Sequence, residues 1–168
     1  NRFANRSKSK YRRNEMVKQI ILSPAVLIAF PGCSVNKKTM TNLAIIKSTY
    51  EGKTSEENGK NLAKYLAENA SWTEAKGFPY AGTYIGFDTV AKNVFYRLAT
   101  EWSNYKFTPE GYVADADKVA AYGTYSGTYK ATGKYFEARV THLWKLKDGK
   151  IISFEQFVDS QVVNDAMK

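Results

Sequence analysis

The sequence predicts an α+β fold in which three helices pack on one face of a curved antiparallel sheet of about four strands. Apolar residues recur three and four positions apart in several stretches before Asn104, which is typical of amphipathic helices. Beyond Asn104 the apolar period changes to two, which is typical of strands. The chain has 168 residues, so we expect one domain with a sizeable core.

Three stretches carry the helical spacing. The first follows a potential cap at Thr41 and Asn42, the second runs from Ser55 to near Asn69, and the third follows Gly86. Residues 72–85 contain two glycines and a proline, which predicts an irregular connection between the second and third helices. The apolar stripes of the three helices are Leu43, Ile45, Ile46 and Tyr50; Leu62, Ala63, Leu66 and Ala67; and Val90, Val94, Phe95, Leu98 and Trp102.

The strands are expected to follow one another as a meander. Residues 105–113 alternate but are interrupted by Pro109-Glu110-Gly111, and residues 118–131 form a long strand that contains Gly123 and Gly127. Glycine within a strand marks a bulge, a bend or the close approach of another backbone. Two such glycines in one strand predict strong curvature.

The last two strands form a hairpin from Arg139 to Asp159 that turns at Asp148-Gly149. On the first of these strands His142, the only histidine of the chain, shares a face with three apolar residues. These neighbours are Val140, Trp144 and Leu146.

The register of the second strand depends on the turn, because a slip of one residue exchanges the two faces. A two-residue loop would bring to the side of His142 the residues Ser153, Glu155 and Phe157. A three-residue loop with a glycine bulge would bring there Ile152, Phe154, Gln156 and Val158. The second set is the more apolar, so we expect Gln156 to face His142 and Glu155 to point outward.

The net charge of +9 is concentrated before the predicted domain. Residues 1–18 contain seven Lys or Arg and one Glu, a net charge of +6, and the remaining residues contain 18 cations and 15 anions, a net charge of +3. The domain is therefore nearly balanced, and we expect no nucleic-acid partner. The sequence also lacks the motifs of triad hydrolases, phosphate loops and zinc sites.

Residues 1–40 are expected to form a basic leader, an export signal and a polar tether, with the domain at residues 41–168. The apolar run from Ile20 to Phe30 is too short to span a bilayer as a helix, and it follows a basic flank near Met16, the expected start. With Cys33 it resembles a bacterial lipoprotein signal, although Phe30-Pro31 stands where that pattern has Leu and a small residue. We therefore expect lipidation at Cys33 and a membrane-anchored protein facing the periplasm. A plain export signal and a cytoplasmic protein are the alternatives.

Several short motifs occur in the order and spacing of one known family. They are Tyr84-Ile85-Gly86, Gly123-Thr124-Tyr125-Ser126-Gly127, Thr132-Gly133-Lys134, His142-Leu143-Trp144, Asp148-Gly149-Lys150-Ile151 and Phe157-Val158-Asp159. Through them residues 41–165 resemble the SnoaL-like group, the polyketide cyclases and ketosteroid isomerase-related proteins of the nuclear transport factor 2-like superfamily. The resemblance implies a cone-shaped α+β barrel with one open hydrophobic pocket, often in a homodimer. Fold alone does not give function.

The resemblance also implies what such a pocket does. Enzymes of the group move protons next to a carbonyl or close a ring, so we expect a small hydrophobic ligand with a carbonyl or hydroxyl, and neither a metal nor an organic cofactor. His142 matches a pocket histidine of the cyclases and is the candidate catalytic residue. Their acid/base aspartate aligns with Gln156, which forms hydrogen bonds but cannot take up a proton. A non-catalytic binding or interaction module is therefore the alternative.

The residues expected to line the pocket are Trp72, Tyr84, Tyr122, Trp144, Phe154, Gln156 and Asp159, with Tyr80 and Tyr125 as further candidate walls. Asp159 ends a motif that the family shares. Its carboxylate could accept a hydrogen bond from Trp72 or His142, or it could simply begin the turn that follows the strand.

Overall fold

The computed structural model describes residues 36–168, which form helices and one six-stranded sheet. The elements in chain order are α1 (Lys37–Ser48), α2 (Ser55–Tyr65), β1 (Leu66–Glu74), β2 (Gly82–Ile85), α3 (Phe87–Val90), a π-helical turn (Ala91–Phe95), α4 (Tyr96–Glu101), β3 (Trp102–Asp115), β4 (Lys118–Tyr129), β5 (Tyr135–Lys147), β6 (Lys150–Val158) and α5 (Ser160–Ala166). The predicted α+β class is confirmed. Cys33 and the predicted leader up to residue 35 lie outside the described residues. Within residues 36–168 no helix is long and apolar enough to cross a membrane.

The sheet is mixed, with the strand order β2-β1-β6-β5-β4-β3. Strands β3 to β6 form the predicted antiparallel meander. Strand β1 pairs in parallel with β6, so the prediction of an antiparallel sheet is wrong for this pair. Strand β1 therefore lies beside the last strand of the hairpin, although about 80 residues separate the two along the chain.

The segment that follows α2 differs most from the prediction. Helix α2 ends at Tyr65, and residues expected to be helical or irregular form β1 and β2. The side chains of Ala70, Trp72 and Glu74 alternate toward the buried face, and pairing with β6 stabilises that alternation. The prediction that three helices precede the sheet is therefore wrong, because two strands come before α3.

The first helix begins earlier than predicted. The side chain of Asn36 accepts a hydrogen bond from the Lys38 N–H at 2.9 Å and so caps the helix at its true start. Asn42, the predicted cap, is buried inside the helix instead, and its side-chain amide donates to the carbonyl of Ala116 at 3.0 Å. That bond ties α1 to the turn between β3 and β4.

The hairpin brings His142 opposite Gln156, as predicted, but by a different turn. Asp148 and Gly149 both have positive φ, 51° and 75°, and form a two-residue loop. A bulge within β6 then shifts the register between the Lys145–Ser153 and Leu146–Ile151 pairs. The prediction of Ile152 on the buried face is wrong, because Ile151 is the buried residue there.

The buried face of the sheet and the helices enclose the core. Every second residue of β5, from Phe136 to Leu146, is buried, and α1, α2 and α3 contribute Ile46, Leu62 and Val90. On β4 a Cβ at Gly123 would collide with the carbonyl oxygen of Thr108, so of the three alternatives for a glycine within a strand this position shows the close approach of another backbone.

Candidate functional site

A cavity of about 340 Å³ lies between the buried face of the sheet and the helices. Its wall combines aromatic and aliphatic side chains with a group of polar residues. The lining residues are Thr49, Tyr50, Ser55, Asn58, Gly59, Leu62, Trp72, Glu74, Val94, Phe95, Leu98, Tyr125, His142, Trp144, Phe154 and Gln156. A cavity of this size, mostly apolar with a few convergent polar groups, is typical of small-molecule sites.

Four aromatic rings form the apolar part of the wall. The ring of Trp72 stacks on Phe154 with centroids 3.8 Å apart, because the two residues are direct partners in the parallel β1–β6 pair. Trp144 lies across from Phe154 on β5, with centroids 4.6 Å apart. The ring of Phe95, from the π-helical turn, is nearly perpendicular to that of Trp72, with centroids 5.3 Å apart. The aromatic wall is therefore built from several elements of the chain.

His142 is buried, and both of its ring nitrogens contact tyrosine hydroxyls. The Tyr50 hydroxyl lies 2.6 Å from Nδ1, and the Tyr125 hydroxyl lies 2.6 Å from Nε2. Tyr50 comes from the turn after α1 and Tyr125 from β4, so the histidine joins three separate parts of the chain. Its ring nitrogens are therefore already engaged within the protein.

Two further bonds fix which hydrogens this network can use. The indole N–H of Trp144 donates to the Tyr50 hydroxyl at 2.9 Å. The side-chain carbonyl of Gln156 accepts from the Ala75 N–H, so its amide N–H donates to the Tyr125 hydroxyl at 3.2 Å. A neutral imidazole has one donor and one acceptor nitrogen. One tyrosine therefore donates to His142 and the other accepts from it, and the accepting tyrosine keeps one hydroxyl proton that His142 does not use.

Burial lowers the pKa of His142 from 6.5 to about 3, so the imidazole is neutral near pH 7. Burial also raises the pKa of Tyr50 and that of Tyr125 above the ordinary tyrosine value, and both hydroxyls stay protonated. These properties favour a hydrogen-bonding role for His142 over service as a general base, which is one form of the catalytic role expected from the sequence.

Glu74 is the strongest acid/base candidate in the cavity, and the sequence analysis missed it. Its side chain is 4% exposed. One carboxylate oxygen accepts from the Trp72 indole N–H at 2.7 Å, and the other has no hydrogen-bond partner among the described residues. Burial raises the pKa of Glu74 to about 7, and the bond from Trp72 opposes part of that rise. The carboxyl can therefore both take up and release a proton near neutral pH.

The position of Glu74 follows from the β1–β6 pair. Trp72 and Thr73 are the partners of Phe154 and Glu155, so Glu74, the next residue of β1, points to the same face as Gln156. The alternation Ala70, Trp72, Glu74 was the signal that could have revealed it.

Five of the eight predicted site residues line the cavity: His142, Trp72, Trp144, Phe154 and Gln156. The other three do not line it. Tyr84 donates from its hydroxyl to the Tyr80 carbonyl at 2.9 Å, Tyr122 is exposed on the outer face of β4 against Gly111, and Asp159 is exposed before α5.

The candidate walls Tyr125 and Tyr80 divide in the same way. Tyr125 lines the cavity. The hydroxyl of Tyr80 instead donates a hydrogen bond to Glu101 at 2.8 Å and accepts one from the Trp102 indole N–H at 2.7 Å.

Among residues 36–168, no group of three His, Cys, Asp or Glu side chains is arranged to hold a metal ion.

Comparison with known proteins gives a consistent family. The chain matches the family described as SnoaL-like domain over residues 49–154. It is 40% identical to an NTF2-like protein from Burkholderia thailandensis, with a TM-score of 0.72, over 76% of this chain and 97% of that one. No match was found among curated proteins.

More distant solved structures share the fold. One is described as a SnoaL-like polyketide cyclase from Jannaschia, with 15% identity and a TM-score of 0.66 over 79% of this chain and 94% of that one. Another, from Catenulispora acidiphila, has a ketosteroid isomerase-like fold and is in complex with trimethylamine, with 16% identity and a TM-score of 0.54 over 69% of this chain and 83% of that one.

Proposed function

The chain belongs to the SnoaL-like domain family, and from that premise we propose that its cavity binds a small hydrophobic carbonyl or hydroxyl compound and that Glu74 moves a proton next to the ligand oxygen. The reaction would be an isomerisation or a ring closure of the kind known in this family. Within the proposal Glu74 is the catalytic residue, and His142 acts by holding the tyrosines.

The observation that carries the proposal is the buried carboxylate oxygen of Glu74, which has no hydrogen-bond partner within residues 36–168. A buried polar atom without a partner destabilises the fold, and a ligand can supply the missing hydrogen bond. A general base works best when its pKa is near the operating pH, and the pKa of Glu74 is raised to about 7. Glu74 therefore combines a place in the cavity wall with suitable proton affinity.

The proposed step balances within the cavity. The ionised Glu74 removes a proton from the carbon next to the carbonyl, the C–H bonding pair moves into the enolate, and negative charge develops on the ligand oxygen. The available hydroxyl proton of Tyr50 or Tyr125 stabilises that oxygen. The protonated Glu74 then returns the proton to carbon, so no cofactor enters the step.

The test is the exchange of the α-protons of 1-tetralone for deuterium in D₂O, followed by NMR. We expect Glu74→Gln to lower the protein-catalysed rate constant by about 100-fold or more. Glu155→Gln is the matched control, because it removes the same charge from the exposed side of neighbouring β6. Equal exchange rates in Glu74→Gln and the wild type would contradict the proposal.

The same experiment separates the alternative, a binding module without catalysis. Gln156, where the family carries an acid, uses both ends of its amide inside the protein and offers no proton acceptor of comparable strength. A wild-type protein that binds 1-tetralone and does not accelerate exchange would favour this second function.

The lipid anchor at Cys33, the export of the protein and the homodimer stay proposals that rest on the sequence and the resemblance. Metabolic labelling with a radioactive fatty acid should mark the wild type and leave Cys33→Ser unlabelled. Equal labelling of the two would contradict the anchor.

A further inference from the structure

One face of α2 forms part of the cavity wall and reaches its opening. The residues on that face are Ser55, Asn58, Gly59 and Leu62, spaced as successive turns of a helix require. Leu62 is buried, whereas Ser55 and Gly59 are exposed. The wall therefore changes from a large apolar side chain inside to two small residues at the opening.

Gly59 stands in the interior of α2, where glycine is unfavourable for a helix. A Cβ built at Gly59 would meet no atom within 4 Å, and the residue does not have a positive φ. By contrast, a Cβ at position 123 would collide with the Thr108 carbonyl, and the φ of 75° at position 149 is one that other residues rarely adopt. Neither packing nor backbone geometry thus explains a glycine at position 59.

The buried polar side chains of the cavity wall are Glu74, His142 and Gln156, whereas Ser55 and Gly59 are exposed. The volume of about 340 Å³ is near the lower end of the range for ligand pockets, ~300–1,000 Å³. A ligand whose polar end lies beside Glu74 and whose tail is longer than the cavity must pass through the opening.

We infer that Gly59 is a specificity-determining residue, which keeps the opening wide enough for an elongated ligand with its polar end beside Glu74 and an apolar tail that passes α2. The inference rests on the proposed function, since it takes the polar end of the ligand to lie between Glu74 and the tyrosine hydroxyls. The inference adds that the ligand is longer than the cavity. A side chain at position 59 would meet the tail and leave the inner end of the ligand undisturbed.

The test uses 4-ethylphenol, 4-butylphenol and 4-hexylphenol, which carry the same hydroxyl and apolar tails of increasing length. Binding can be followed by tryptophan fluorescence, because Trp72 and Trp144 line the cavity. We expect Gly59→Leu to raise the Kd of 4-hexylphenol by about tenfold or more and that of 4-ethylphenol less than about twofold. Ala63→Leu is the matched control, because Ala63 is exposed on the same helix and does not line the cavity.

Gly59→Ala provides a second variant in which folding is favoured. This variant should raise Tm by about 2–4 °C, because alanine is the better helix former. It should still weaken the binding of 4-hexylphenol more than the binding of 4-ethylphenol. Equal changes in Kd for the short and long phenols would overturn the inference and leave the proposed function standing. Failure of every phenol to bind the wild type would overturn both.

Discussion

Trp72 and Glu74 lie on the same face of β1, and the indole N–H of Trp72 donates to one carboxylate oxygen of Glu74 at 2.7 Å. The bond positions the carboxyl and leaves its second oxygen buried and without a partner among the described residues. Burial raises the pKa of Glu74 and this single bond lowers it, and the effect of burial is the larger. The pair therefore controls the proton affinity of the site.

Replacement of Glu74 by Gln should change how stability depends on pH. A pKa raised from 4.5 to about 7 gives a contribution that is fully present below 4.5 and is lost as the pH rises through 7. Glutamine does not titrate, so position 74 makes no pH-dependent contribution to the stability of the variant. The free energy of unfolding of Glu74→Gln minus that of the wild type should therefore rise by about 3 kcal/mol from acid to neutral pH, measured by urea denaturation.

His142 provides an internal check on that experiment. Its pKa is lowered to about 3, so its contribution is present above 6.5 and is lost as the pH falls. Between 4.5 and 6.5 the two slopes oppose each other in the wild type. Glu74→Gln should expose the histidine slope and become less stable toward acid there. A difference between the two proteins that does not vary with pH would contradict a raised pKa at Glu74.

Removal of the indole donor should shift the activity profile. Trp72→Phe keeps an aromatic ring against Phe154 but loses the bond that favours the charged carboxylate, so the pKa of Glu74 should rise above about 7. The midpoint of the pH dependence of 1-tetralone exchange should move upward by about one pH unit. Trp144→Phe loses only its bond to Tyr50 and should leave the midpoint in place. An unchanged midpoint in Trp72→Phe would disprove this control of the pKa.

The protonation of His142 can be measured directly, because it is the only histidine of the chain. The ¹⁵N resonances of the imidazole should show a neutral ring from about pH 8 down to about pH 4, since burial lowers the pKa to about 3. A titration midpoint near 6.5 would show that the ring is hydrated and would restore the general-base role.

The sequence predicted those parts of the site that depend on local alternation. The apolar pattern of the hairpin predicted that His142 lies opposite Gln156. A two-residue turn alone would have placed Glu155 there, and the bulge near Ile152 shifts the register by one residue. Trp144 and Phe154 were assigned to the cavity for the same reason.

Glu74 was not predicted, although the side chains at its end of β1 alternate. The apolar residues from Leu62 to Ala67 match helical spacing, and the β1–β6 register shifts between Leu66 and Ser71, so the alternation of β1 is short and begins late. The strand also depends on β6, which comes much later in the chain. Local spacing favoured a helix, and the long-range pair overrode it.

Gln156 should determine which hydrogens the polar network can offer. In Gln156→Glu an ionised side chain cannot donate to Tyr125, so the Tyr125 hydroxyl must donate to it instead. Tyr125 would then accept from Nε2 of His142, and Nδ1 would accept the proton of Tyr50. Both tyrosine protons are then used within the protein, and none remains for a ligand oxygen.

Two measurements check this consequence of Gln156→Glu. The ¹⁵N spectrum of His142 should show a single tautomer protonated at Nε2, and the Kd of 4-ethylphenol should rise about 2–10-fold, the loss expected for one hydrogen bond. Glu155→Gln, on the exposed side of β6, should change neither the tautomer nor the Kd. If Gln156→Glu keeps the wild-type tautomer ratio and the wild-type affinity, the free hydroxyl proton is not the group that holds the ligand oxygen.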